Sequence, residues 1–337
     1  MNHTITLKQI IQTIHADLIG KDSHRGITLT YGWFANQLGH FALGFIPIAL
    51  LHVFGFNLTN SLIIVAGFWL TFEIYNAMSP LYKKEYKGNG SFKPHWSNLI
   101  FDTFTDLCFF WAGSLTYYFC VDTDASPIWI WLFFGGLVAL FFAIRYWFLT
   151  KLYQQNAFFP YQFRLSQWNG YIRQQDIEII KSFLTKKESN RHFLVFGAKK
   201  SGKTTLTVGI ANEMSIRHTR SLYTTYSKWI SLLEDSDDEL NRGNRSLWSW
   251  LSTDFLLIDD INPGVPVSSN KYTALETIEY INSSLYGSRN ISTLISKNVA
   301  WVVGECEKNE SVSDWIEMLK KMGVAEEMIT VVNLNRN

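Results

Sequence analysis

The sequence predicts two structural classes in one chain. An α-helical membrane bundle of four transmembrane helices comes first, and an α/β domain with a five-stranded parallel sheet follows. Three observations predict this. Long apolar stretches follow one another between residues 31 and 150. The run Phe193-Leu194-Val195-Phe196-Gly197-Ala198-Lys199-Lys200-Ser201-Gly202-Lys203-Thr204-Thr205 reads as a strand, a glycine-bounded turn and the start of a helix. From there onward, short apolar runs alternate with helical segments, which favours a doubly wound parallel sheet.

The 337 residues divide into an amphipathic N-terminal segment (1–30), a transmembrane domain (31–150), a helical connector (151–190) and the α/β domain (191–337). Formal net charge is +1, so no strong field for nucleic acid is expected. Aromatic residues make up 16% of the chain, and the apolar residues crowd into residues 31–150. Cys108, Cys120 and Cys306 have no metal-binding spacing and imply no disulfide framework.

Residues 1–26 lack the basic start and apolar core of a secretory signal. Leu7, Ile10, Ile11, Ile14 and Leu18 follow helical spacing, so a short amphipathic helix is expected. The spans are placed near Trp33–Phe56, Leu58–Met78, Ser97–Val121 and Ile128–Leu149, each long enough for a hydrocarbon layer of about 30 Å. The link between the second and third spans holds Lys83, Lys84, Lys87 and Lys93. Lys8, Lys21 and Arg25 precede the first span, and Arg145 and Lys151 flank the end of the fourth. This distribution puts both termini in the cytoplasm of a multi-pass protein, with the bacterial inner membrane as its expected place.

Polar residues interrupt the spans in helical pairs: Asn36 with His40, Glu73 with Asn76, and Asp102 with Asp106. At one depth in a bilayer they suggest a proton, metal or ion site, or interhelical hydrogen bonds that fix packing. The pattern resembles small bacterial membrane families with His-, Glu- and Asp-rich spans. No Gly-x-x-x-Gly pair is present, and Gly135 and Gly136 are the residues that would permit close helix approach. In the connector, residues 163–184 read as one helix with Ile172, Ile179, Ile180, Phe183 and Leu184 on its apolar side.

Gly197-x-x-x-x-Gly202-Lys203-Thr204, after a strand and before a helix, is the pattern of a phosphate loop. Residues 197–205 would wrap a phosphate group with backbone N–H groups. Lys203 would supply charge to the β- and γ-phosphates, Thr204 would hold Mg²⁺, and the following helix would point its positive end at the same anion. Asp254-Phe255-Leu256-Leu257-Ile258-Asp259-Asp260 supplies the second motif. Asp259 would join the Mg²⁺ shell and Asp260 would polarise the attacking water. Glu305, after the strand Val299–Gly304, is the nearest candidate for a polar sensor. With no Asn-Lys-x-Asp signature (Asn270-Lys271-Tyr272-Thr273 lacks the acid), ATP is favoured over GTP.

Phe-Gly-x-x-x-Ser-Gly-Lys-Thr-Thr-Leu, Tyr-Thr-Thr-Tyr-Ser-Lys-Trp-Ile and Leu-Leu-Ile-Asp-Asp-Ile together resemble the additional-strand P-loop NTPases of the AAA+ class, in particular helicase-loader and transposition-helper ATPases. The resemblance implies ATP, Mg²⁺, hydrolysis and assembly as a homo-oligomer. It also implies that an arginine before the sensor strand reaches a neighbour's γ-phosphate. Arg289 stands there, with Arg242 and Arg245 as weaker candidates. Signalling NTPases of the apoptosis and defence class are the other relatives to consider, and the membrane half is foreign to the helicase loaders. The expected function is therefore a membrane-anchored, Mg-dependent ATPase that couples nucleotide state to the bundle or to a protein partner. The alternatives are a nucleotide-controlled defence switch with a membrane effector, and ion or metal transport through the polar cluster.

Overall fold

The computed structural model describes residues 5–19, 28–122, 127–186, 189–236, 247–262, 272–304 and 311–335. The chain forms two compact units, Met1–Tyr86 with His95–Leu152, and Lys87–Pro94 with Tyr153–Asn337.

The first unit is helical: α1 (Leu7–Leu18), α2 (Leu29–Val53), α3 (Leu58–Ala77), α4 (Trp96–Val121) and most of α5 (Pro127–Gln155). A capping box starts α1, where Thr6 Oγ1 accepts from the Gln9 amide and Gln9 Oε1 accepts from the Thr6 amide. No residue of α1 is buried, and its apolar Leu7, Ile11 and Leu18 are exposed. Asp17 ties it to the start of α2 by accepting from the Thr30 amide at 3.1 Å and the Thr30 hydroxyl at 2.7 Å.

Helices α2 and α4 approach each other closely. A Cβ at Gly44 would lie 1.9 Å from the Phe110 carbonyl oxygen, and one at Gly113 would lie 2.0 Å from that of Phe41. Ser114 Oγ donates to the Gly44 carbonyl at 3.1 Å. Such contacts between small residues hold helices together where apolar burial gives little discrimination. At Gly135 and Gly136, which would permit close approach, a Cβ meets nothing within 4 Å. A glycine permits close approach only where a partner backbone arrives, and none of the described residues does so there.

Three of these helices, α2, α3 and α5, are long and apolar enough to cross a membrane. The 26-residue α4 is not among them, because Ser97, Asn98, Asp102, Thr103, Thr105 and Asp106 dilute its first half. It packs against α2 and α3 and buries Thr105, Leu107, Cys108, Phe110, Gly113, Ser114 and Tyr118.

The second unit holds a parallel sheet of β1 (His192–Phe196), β2 (Ser221–Thr225), β3 (Phe255–Ile261), β4 (Asn298–Val303) and β5 (Ile329–Asn333), in the order β2-β3-β4-β1-β5. Strand β4 lies between β1, which leads into the phosphate loop, and β3, which carries the paired aspartates. Helices α6 (Gln174–Lys186), α7 (Lys203–Ile216), α8 (Tyr226–Ser231), α9 (Ala274–Ser283), α10 (Gly287–Ile295) and α11 (Val312–Met322) accompany the strands.

Strand side chains alternate between two cores. Phe193, Val195, Phe255, Leu257, Ala300 and Val302 pack with Phe183 of α6 and Leu206 and Ile210 of α7. Leu194, Phe196, Leu256, Ile258, Val299 and Trp301 pack with Trp229 of α8, Leu294 of α10 and Trp315 of α11. Burial on both faces explains why these strands read as continuous apolar runs.

The connector departs from the expected single helix over 163–184. Leu165–Gln167 is one 3₁₀ turn, and α6 starts only at Gln174. Between them the carbonyls of Trp168 and Gly170 accept from Asn89 N and Nδ2 at 2.8 and 3.0 Å, so they do not serve a helical ladder. Gly170 also stands against the Trp168 ring, where a Cβ would come within 2.4 Å.

Candidate functional site

The site forms where β1 and β3 end. After Phe196 the chain turns through Gly197, where a Cβ would lie 2.5 Å from Ser201 Oγ. Lys200 and Gly202 adopt positive φ of 66° and 91°, a region open to glycine and costly for lysine. α7 begins at Lys203, so the N–H groups of its first turn and its positive end point into the loop. Lys203 Nζ donates to the carbonyls of Gly197 at 2.7 Å and Ala198 at 3.0 Å, folding back over the loop. Ser201 Oγ is buried with no hydrogen-bond partner among the described residues.

Thr204 and Asp259, 55 residues apart in sequence, meet here: Thr204 Oγ1 donates to Asp259 Oδ1 at 3.1 Å. The Tyr223 hydroxyl of β2 donates to Asp259 Oδ2 at 3.1 Å. Asp259 is 1% exposed, and burial holds its carboxyl above the ordinary carboxylate range, against the pull of these hydrogen bonds.

Asp260 is exposed and takes φ 57°. It lies in a register shift between Ile258 and Ile261, where β3 pairs with β4. A bulge at the end of a strand re-aims one side chain, and here it turns Asp260 out of the buried pattern. The chain is held there by Gly304, whose amide donates to the Ile261 carbonyl at 2.6 Å. A Cβ on Gly304 would lie 1.6 Å from the Asn262 carbonyl oxygen.

Three further contacts reach the loop from distant parts of the chain. Asn335 Oδ1 accepts from the Ala198 amide at 2.7 Å. The Tyr161 and Thr205 hydroxyls are 2.9 Å apart. The Trp168 ring lies against Gly202, where a Cβ would come within 2.8 Å of Cη2. The sequence motifs point to none of Asn335, Tyr161 and Trp168.

Glu305, Arg242 and Arg245 fall outside the described residues. Arg289 lies within α10, after α9 and before β4. It donates to the Asp235 carbonyl at 3.0 Å and stacks on Tyr286, with its guanidinium carbon 4.1 Å from the ring centre.

In the first unit, part of the polar set comes together. His40 Nδ1 lies 3.1 Å from Asp106 Oδ1, with Glu73 and Asp102 within electrostatic reach. Glu73 is 4% exposed and is hydrogen-bonded to Asn76. Asp102 accepts from Trp147 Nε1. Asn36 is exposed; it is Gln37, 3% exposed, whose Oε1 lies 3.4 Å from His40 Nδ1. One residue along a helix is a rotation of about 100°, which separates these two neighbours. Among the described residues no group of three or more His, Cys, Asp or Glu side chains is arranged to hold a metal ion.

No family model and no curated protein matches the chain. Among solved structures, a DnaC helicase loader is similar at 17% identity and a TM-score of 0.35, covering 57% of this chain and 99% of that one. AMPPCP-bound DnaA from Aquifex aeolicus is similar at 17% identity and a TM-score of 0.33, covering 53% of this chain. The match spans about half, 52%, of the DnaA chain.

Proposed function

We propose that the chain is a membrane-anchored protein that binds Mg·ATP at residues 197–205 and hydrolyses it. The observation that carries this reading is the Thr204–Asp259 contact at 3.1 Å, at the mouth of a glycine-bounded loop that opens a helix. A buried hydroxyl without a partner costs about 1–3 kcal/mol, and Ser201 Oγ within this loop is suited to a phosphate oxygen. Bound Mg²⁺ would neutralise charge on the phosphates.

The protein's own residues would divide the work as follows. Lys203 would exchange its two loop carbonyls for phosphate oxygens. Thr204 and Asp259 would turn their oxygens from each other toward the cation, with Tyr223 keeping Asp259 in place. Asp260, turned outward at the bulge, would orient and polarise water.

The same reading takes α4 as a fourth span, since its length matches its neighbours and its polar side chains have partners within the bundle. The lysines of the link between α3 and α4 would then face the cytoplasm with both termini. The His40–Asp106 pair, with Glu73 and Asp102, would serve as the polar seam that fixes this packing. Steady Mg-dependent turnover above about 0.1 s⁻¹ in detergent would support the enzyme. Nucleotide binding with no turnover would favour a switch instead.

A further inference from the structure

Within the link between α3 and α4, the segment Lys87–Pro94 belongs to the second unit. Gly88 is at φ 56°, and a Cβ there would lie 2.4 Å from the Ser166 carbonyl oxygen and 2.6 Å from that of Trp168. Asn89 donates its amide to the Trp168 carbonyl and its Nδ2 to the Gly170 carbonyl. Its Oδ1 accepts from the Ser91 amide at 3.0 Å. Phe92 is buried in the same core as Leu165, Trp168 and Leu206. These are contacts of a docked segment, not of a passing loop.

The residues it docks on lie against the nucleotide site. Phe163–Trp168 runs along α7 and the turn before it, where two glycines leave room for its side chains. Gly202 and Gly209 are seven residues apart, about two helical turns, and their hypothetical Cβ atoms would meet Trp168 and Leu165 respectively. Arg164 pairs with Glu213 at 3.0 Å, and Asn212 Nδ2 donates to the Phe163 carbonyl at 2.8 Å. The same Trp168 thus touches phosphate-loop Gly202 with its ring and holds Asn89 with its carbonyl.

We infer that Trp168 is a relay: nucleotide binding at the phosphate loop fixes Gly202, hence Trp168, and so tightens the docking of Lys87–Pro94. That segment continues at both ends into chain leading to α3 and α4, so it carries nucleotide state toward the membrane helices. The inference rests on the proposed ATP site and names the element through which that site is read out. Close-packed contacts pass on displacement because a ring against backbone has no slack.

Hydrogen exchange of the full-length protein, with and without Mg²⁺ and a non-hydrolysable ATP analogue, tests it. In the wild type, exchange should slow in 197–206 and also, by about threefold or more, at Asn89 and Ser91. In Asn89→Ala and Gly88→Val the loop response should disappear while protection of 197–206 remains. Asn89→Ala removes only a carboxamide, so it carries the test if Gly88→Val does not fold. Slowing at 197–206 with no slowing at 88–92 would overturn the relay and leave the ATP site standing. A loop response that survives in Asn89→Ala would also overturn it. No slowing at 197–206 would reject the ATP site, and the relay with it.

Discussion

Thr204 donates its hydroxyl to Asp259 across 3.1 Å, joining the first turn of α7 to the end of β3. Each residue brings an oxygen to one point from a different element. Lys203 lies one residue before Thr204, and Asp260 one residue after Asp259. Four polar groups are thereby brought together by α7 and β3.

Lys203→Ala removes the cation that reaches over the loop. Loss of a charge partner costs about 2–5 kcal/mol, so the dissociation constant for Mg·ATP should rise about thirtyfold or more. Equilibrium titration with labelled ATP measures it. Unchanged affinity would remove Lys203 from the site.

Asp260→Asn should leave ATP affinity within about threefold of wild type and lower turnover by about 10²–10⁴, the range for loss of a general base. Phosphate release under saturating ATP is the readout. Full turnover in this variant would show that another group orients the water.

Burial raises the Asp259 carboxyl above its ordinary range. Without nucleotide, the folded state therefore holds its proton more tightly than the unfolded chain. Stability from this group should rise as pH falls into that raised range and drop as pH climbs out of it. Thermal unfolding across pH should show this slope in the wild type and not in Asp259→Asn. The variant should also lose the Mg²⁺-dependent part of ATP stabilisation.

His192 is fully buried, and its Nδ1 accepts from Trp301 Nε1 at 3.2 Å. Burial lowers its pKa to about 4, and protonation would set two donors against each other. The unfolded chain binds this proton near pH 6.5. Stability from this group is therefore full above that pH and is lost as pH falls from about 6.5 to about 4, by about 3 kcal/mol. His192→Gln keeps an acceptor for Trp301 and should flatten this slope in denaturant titrations.

Gly113→Leu should push α2 and α4 apart, because the Cβ alone would fall 2.0 Å from the Phe41 carbonyl oxygen. Overpacking against backbone costs about 1–3 kcal/mol. The melting temperature in detergent should fall for this variant and stay near wild type for Gly135→Leu, which meets nothing.

The features legible in the sequence were the local ones. The phosphate loop compresses strand, turn and helix into thirteen residues, each with its own conformational demand, and Lys203 and Thr204 appear where that spacing puts them. The strands of the sheet were readable as apolar runs because both faces are buried. The illegible parts depend on distant partners. Asn335 reaches Ala198 from 137 residues away, and Asn89 meets Gly170 from 81 away, so no local period records them. The connector read as one helix because its apolar spacing is helical, whereas Trp168 and Gly170 give their carbonyls to Asn89. Asn36 stands out in the sequence because it lies four residues before His40, whereas the rotation of α2 buries Gln37 and leaves Asn36 exposed.

Binding of labelled ATP to the purified full-length protein, with Mg²⁺ and with EDTA, tests the central claim most directly. Saturable binding with Mg²⁺ that collapses in EDTA, and in Lys203→Ala with Mg²⁺ present, is the predicted result. Absence of binding, or binding indifferent to both Mg²⁺ and Lys203, would contradict the account.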